Sequence, residues 1–217
     1  MGWFVSTGAA RGFLLAAALA FPASASAAAP GLARIHTIAL APIAEPETYG
    51  IVSSAANFGQ YDSRTFVPSA GAPRSFADAM AERNLHLGAE LFARLQQVMM
   101  RAGVLVLAPG AANAEATLEI AFTPATALYT DAVLGDDLMP SFSVTFRLID
   151  TRTKQALVNE RITYGESDTS APHMFYPDAR FRFTSPDALI ADPASAAEGL
   201  RAGIPVVAGE IVRVLAQ

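Results

Sequence analysis

Residues 75–107 constrain the fold most. Leu85, Gly88, Phe92, Leu95 and Met99 recur at spacings of three and four, and Leu87, Leu91 and Val98 widen that stripe. The pattern predicts one long amphipathic helix from Ser75 to Ala102. Ser75 can cap its start with Asp78 three residues on, Arg101 suits the negative end of the helix dipole, and Gly103 is a natural stop. Val104-Leu-Val-Leu-Ala-Pro109 follows at once, short, apolar and bounded by glycine and proline, and reads as a buried strand. An earlier apolar run, Arg34 to Pro42, reads as a strand covered on both faces. Strand, helix and strand in this order predict a βαβ-type unit with parallel strands.

The middle of the chain changes period. Leu118, Ile120 and Phe122 alternate with Glu119, Ala121 and Thr123 within a strand expected over Ala116–Tyr129. Phe142, Val144, Phe146 and Leu148 alternate with Ser143, Thr145 and Arg147, and Ala156 to Tyr164 continues in the same way. Each reads as a strand with one face on the core. Asp150-Thr-Arg-Thr-Lys154 is the turn that makes the last two a hairpin, with Asp150 placed for an Asx-turn. Ser195 to Ala216 predicts a closing helix whose buried face holds Ala197, Leu200, Ile204, Val207, Ile211 and Leu215, and which Gly203 and Pro205 kink or split in two. The expected architecture is α/β (α+β): a single domain over residues 29–217, with a mixed four- to five-stranded sheet packed by one long helix and a C-terminal helix.

Two stretches resist this reading. Residues 43–75 form a long loop rich in proline, glycine and serine, in which Thr48 to Val52 reads as a short strand or hairpin arm. Residues 167–193 form a second, in which Arg180 and Arg182 alternate with Phe181 and Phe183 as in a short strand.

Residues 1–28 read as a secretory signal peptide. Arg11 precedes the apolar run Gly12–Phe21, Pro22 ends it, and the small residues Ala23–Ala29 suit a signal peptidase. The run is about ten residues, against the roughly 20 that a membrane-spanning helix needs, so no stable span is expected after cleavage. The expected location is the periplasm. The chain has no cysteine, which excludes disulfides, thiol nucleophiles, thiolate metal sites and a lipid anchor on cysteine. Net charge is −5, with fourteen scattered arginines and a single lysine, Lys154, within the 15 basic residues. That balance argues against a nucleic-acid partner.

Three stretches carry a family resemblance: Ile35-His-Thr-Ile-Ala-Leu-Ala-Pro-Ile43, the long helix running through Gly103 into Val104-Leu-Val-Leu107, and Phe146-Arg-Leu-Ile-Asp-Thr-Arg-Thr-Lys-Gln-Ala-Leu157. Together they resemble the N-terminal domain of TolB and the related periplasmic domains of CsgG and PelC. Lys154 stands where that hairpin usually has a turn glycine. The resemblance implies a non-catalytic envelope protein that acts through contacts with other proteins, and it supplies no catalytic residues.

No motif forces a chemistry. A Gly-x-Ser-x-Gly elbow, a phosphate loop and a dinucleotide fingerprint are all absent from the sequence. His36 reads as a strand residue at the core's edge. His86, with Glu82 and Glu90 one turn to either side, reads as a solvated polar face, and His173 with Tyr176 and Asp178 is the best remaining ligand cluster. Asp131, Asp136 and Asp137 read as a solvated hairpin loop. The expected working surface is the aromatic and arginine stretch Phe175, Tyr176, Arg180, Phe181, Arg182 and Phe183, residue types that anchor protein interfaces. The reading is therefore an exported periplasmic accessory or assembly factor, not an enzyme and without a cofactor. Its partner is an envelope protein or further copies of itself. The alternatives are a small-molecule or ion-binding domain, and a hydrolase with carboxylates assembled in space from Asp136, Asp137 and Asp178.

Overall fold

The computed structural model describes residues 35–52, 75–131, 137–165 and 172–217. The expected signal peptide, most of the expected first long loop and Asp136 lie outside the described residues. The described chain is a single mixed α/β domain. It runs β1 (Thr37–Leu40), β2 (Thr48–Val52), α1 (Phe76–Glu82), α2 (Leu87–Arg101), β3 (Leu105–Leu107), β4 (Ala116–Asp131), β5 (Leu138–Asp150), β6 (Ala156–Tyr164), β7 (His173–Phe175), α3 (Pro186–Ala191) and α4 (Pro193–Leu215).

The expected long helix is two helices. Ser75 and Asp78 form the anticipated capping box at the start of α1. That helix then ends at Asn84, whose φ of 51° is left-handed. The amides of Asn84 and Leu85 return to the carbonyls of Ala81 and Met80, at 2.9 and 3.1 Å, and close a Schellman turn. Leu85 and Met80, the apolar pair that such a turn brings together, are both buried. The heptad-like stripe survives the break because Leu87, Leu91, Leu95 and Met99 still face the core. His86 gives α2 no side-chain cap. Glu45 caps it instead from the β1–β2 connection, accepting from the amides of Gly88 and Ala89 at 3.0 Å each. Gly103, at φ 81°, stops α2 as anticipated.

The sheet has seven strands, not four to five, in the order β3-β1-β4-β5-β6-β7 with β2 alongside β4. Of the two further strands, one is the short strand read at Thr48–Val52, and the other, His173–Phe175, lies in a stretch read as loop. Thr48–Val52 pairs parallel with β4, and His173–Phe175 pairs parallel with β6. β1 and β3 are parallel, as the βαβ reading requires. β3 is not a buried strand, however. It lies at the sheet edge with Leu105 56% exposed, because no described strand pairs with its outer side. β4, β5 and β6 form the expected antiparallel run, with Phe142, Val144, Phe146 and Leu148 buried. Lys154 takes the left-handed φ of 59° that a glycine would take in the turn, and Asp150 Oδ1 accepts from the Thr153 amide at 2.6 Å.

One irregularity re-aims the sheet. Phe122 opposes Val144 but Ala127 opposes Phe142, so β4 spends four residues where β5 spends one. Pro124 lies in this bulge and has no N–H for the ladder. The core face of β4 therefore changes parity, from Leu118, Ile120 and Phe122 to Ala127 and Tyr129.

α4 is one continuous helix, not two. Pro205 is exposed and breaks no packed contact. The whole predicted face, Ala197 through Leu215, is buried. Gly199 and Gly203 let the helix lie directly on aromatic rings. A Cβ at Gly203 would come within 2.5 Å of Tyr164 and 2.7 Å of Phe142. Arg201 ties this helix to the α1–α2 break through Glu90 at 3.0 Å and the carbonyls of Arg83 and Asn84 at 2.9 and 2.7 Å.

Candidate functional site

The stretch after β7 runs over the outer end of the sheet, beside the start of α4. Phe175 is the last residue of β7. It stands opposite Tyr164, is half-buried against the core, and accepts a hydrogen bond from the Gly165 amide at 2.8 Å. Tyr176 then turns outward and is 65% exposed. Residues Ala179–Phe181 form a single 3-10 turn where a short strand was expected. The cause is local: the Asp178 carboxylate accepts from the Arg180 amide at 3.0 Å and starts the turn. Extended backbone resumes at Phe183, which exchanges two backbone hydrogen bonds with Leu138 at 2.7 and 3.0 Å.

This geometry divides the six residues expected at an interface. Phe181 is 3% exposed and belongs to the core. Phe183 is half-buried, its ring 5.5 Å from Tyr129 in an edge-on contact. Arg180 lies over the Phe181 ring at 4.5 Å and reaches Asp178 and Glu198 at 3.7 and 3.8 Å. Arg182 pairs with Asp137 at 3.4 Å. The outward surface of the stretch is thus Tyr176, Arg180 and Arg182, with Phe175 and Phe183 as its half-buried footing and Phe181 beneath.

The footing is tied to α4 through a buried hydroxyl. The Tyr129 hydroxyl donates to the Ala196 carbonyl of α4 at 3.0 Å. Burial, then the neighbouring Tyr164 and Asp192, push the Tyr129 phenol far above its ordinary range. Tyr164 is pushed up to about 12, mainly by burial. Neither phenol ionises near neutral pH, so both act as packed, neutral groups.

The histidines take other partners than their sequence neighbours. His173 does not gather Tyr176 and Asp178. Its Nδ1 lies 2.9 Å from Glu210 on α4. Glu210 also receives a two-pronged bond from Arg213, at 2.6 and 2.7 Å. Hydrogen bonding from Arg213, then its charge and that of His173, hold the Glu210 carboxyl below the ordinary range despite burial. His86 loses its flanking acids to the helix break, since Glu82 belongs to α1 and Glu90 pairs with Arg201. His36 lies just before β1, with its amide donating to Glu115. Among the described residues, no group of three or more histidines and carboxylates converges as a metal site would require. Sequence spacing could not have found the His173–Glu210 pair, whose members lie 37 positions apart. The one available signal was Glu210 itself, an acid inside the apolar face of a helix.

No protein-family model matches the chain, and no curated protein matches it. Several solved structures are similar to it. A minor lipoprotein of Acinetobacter baumannii is 11% identical, with 84% of this chain and 93% of that one covered at a TM-score of 0.41. A DUF330 protein of Xanthomonas campestris is 12% identical, with 81% of each chain covered at a TM-score of 0.40. PelC of Paraburkholderia phytofirmans, solved as a dodecamer, is 19% identical, with 65% of this chain and 81% of that one covered at a TM-score of 0.32. At these scores the likeness carries nothing of their roles, locations or assemblies to this chain.

Proposed function

We propose that the protein is an exported, non-catalytic envelope factor that works by contact, with either a distinct envelope protein or further copies of itself. The leader pattern in residues 1–28 supports the location. One observation carries the rest: the described carboxylates with shifted acidity are committed to holding the fold together. Glu115 accepts from the amides of His36 and Thr37. Asp150 closes the β5–β6 turn and Asp192 caps α4. Glu210 is held by Arg213 and His173, and Tyr129 by Ala196. Asp137 and Asp178, the described members of the expected carboxylate set, are likewise engaged with Arg182 and the Arg180 backbone. Against this, Tyr176 is a large aromatic side chain, 65% exposed, on the stretch that carries Arg180 and Arg182. That is the residue chemistry of an interface anchor.

The test is site-specific photo-crosslinking in envelope preparations. A photoreactive side chain at position 176 is expected to give discrete adducts, to a partner or to a second copy. The same group at the exposed Glu47 is expected to give none. Absence of adducts at 176, together with a strictly monomeric protein in sedimentation at every concentration, would overturn the proposal.

A further inference from the structure

We infer that the outer edge of β3 pairs with the same edge of a second copy of the chain, joining two sheets across a two-fold axis. β3 lies at the opposite end of the sheet from β7, and no described strand pairs with its outer side. The Leu105 amide donates to the His36 carbonyl before β1 at 2.8 Å. Leu105 and Leu107 therefore spend their polar backbone groups on β1, and alternation turns the N–H and C=O of Val106 outward. An antiparallel copy centred on Val106 satisfies both groups, because each Val106 exchanges two hydrogen bonds with its counterpart. A two-fold contact needs a surface that matches itself, and a single outward-facing residue with one donor and one acceptor does so.

Charge selects a second copy as the occupant. The chain carries a net charge of −5, so two copies repel wherever their acids meet. Residues 102–114 hold no charged side chain. The helix above is neutral on the same flank. α4 packs over β5 and β6, and α2 lies between it and β3. Glu90 of α2 faces Arg201 of α4. At about 3.6 residues per turn, Phe92, Gln96 and Met100 fall on the flank away from Glu90, towards the free edge. None of the three is charged, and Met100 is 61% exposed. On the other face of the strand Leu105 is exposed as well, and two-fold pairing sets it opposite Leu107 of the second copy. Sheet edges are commonly blocked by a lysine, a proline or an inward charge, and β3, Leu-Val-Leu, has none of these. Its length sets the strength. Three residues and a helix flank fall below the roughly 800 Å² per partner of stable complexes, so the pairing is a reversible dimer. Tyr176 follows β7 at the far edge and stays free in this dimer, so the pairing and the contact role proposed above fail separately.

Sedimentation of the purified protein is expected to show a monomer–dimer equilibrium that added salt strengthens, because screening removes the net repulsion from a neutral contact. Leu105→Lys places a charge at an exposed position and is expected to weaken the dimer at least about ten-fold with the fold unchanged. Disulfide trapping then reads the register in a chain with no cysteine of its own. Val106→Cys sets the two Cα atoms about 5.5 Å apart across the axis, inside the roughly 4.4–6.8 Å that a disulfide spans, and is expected to give a covalent dimer on mild oxidation. Leu105→Cys, although more exposed, is offset along the strand from its counterpart and is expected to give far less. A protein that stays monomeric at every concentration would overturn the pairing. So would a dimer unmoved by Leu105→Lys, or faster trapping at 105 than at 106. Adducts at 106 to a different envelope protein alone would assign the edge to that protein instead. Should Val106→Cys fail to fold, sedimentation of the unsubstituted and Leu105→Lys chains decides.

Discussion

Helix α4 carries glycines at 199, 203 and 209 in very different surroundings, and Gly203→Ala tests whether close approach to the sheet is what α4 is built for. A Cβ at position 203 would meet ring atoms of Tyr164 at 2.5 Å and of Phe142 at 2.7 Å. Both rings are 2% exposed and pack on each other with centroids 5.5 Å apart, so neither can swing aside. Overpacking of this sort costs about 1–3 kcal/mol. Alanine returns about 1 kcal/mol of helix propensity. Gly209→Ala gains that same propensity, but nothing lies within 4 Å of its Cβ. Propensity therefore cancels in the comparison, and the two variants are expected to differ by about 1–3 kcal/mol, with Gly209→Ala the more stable. At about 2–4 °C per kcal/mol for a domain of this size, thermal unfolding followed by circular dichroism separates them, and urea midpoints check the order. Equal midpoints for the two variants would refute the packing argument, since their backbone terms are the same.

Three further outcomes follow from single contacts. Tyr129→Phe removes the buried hydroxyl that donates to Ala196 and is expected to lower stability by about 0.5–1.5 kcal/mol, read from the urea midpoint at unchanged slope. Lys154→Gly relieves a left-handed residue and is expected to raise the thermal midpoint, by up to about 1 kcal/mol of stability. The Glu210 carboxyl lies below its ordinary range in the folded chain. Its contribution is therefore complete above the ordinary carboxylate range and disappears as pH falls through the lowered value. Glu210→Gln is expected to be less stable than the parent chain at neutral pH and to converge with it in strong acid. A constant gap across the acid range would remove the charge from the account.

The elements that sequence made legible are those whose information is local and periodic. The alternation over Phe142–Leu148 and Ala156–Tyr164 needs nothing beyond its own residues to name a half-buried hairpin, and the turn chemistry at Asp150 supports it. The buried stripe of α4 is legible for the same reason. What periodicity hid is the break between α1 and α2. The apolar spacing carries on across Arg83–His86, and only Asn84, a residue that tolerates the left-handed region, marks the stop. The reverse happened at Pro205. A local rule predicted a split, and the packing of Leu200, Ile204, Val207 and Ile211 overrode it. β7 was hidden differently, since a strand of three residues carries too few positions to show a period.

The candidate site was legible in composition but not in geometry. Aromatics and arginines between residues 175 and 183 mark an unusual surface, yet alternation alone implied that Phe181 and Phe183 share a face. The Asp178 turn instead sends Phe181 under Gly199 and leaves Phe183 bridged to Leu138. One side-chain hydrogen bond thus decides which aromatics are footing and which is surface. The same holds for His173. Its neighbours in sequence, Tyr176 and Asp178, are drawn away by the chain reversal, while Glu210 arrives from a helix 37 residues on. A buried carboxylate in an apolar helix face is unfavourable unless something meets it. Glu210 therefore predicted the existence of a partner, and only the parallel pairing of β7 with β6 specified which residue it would be.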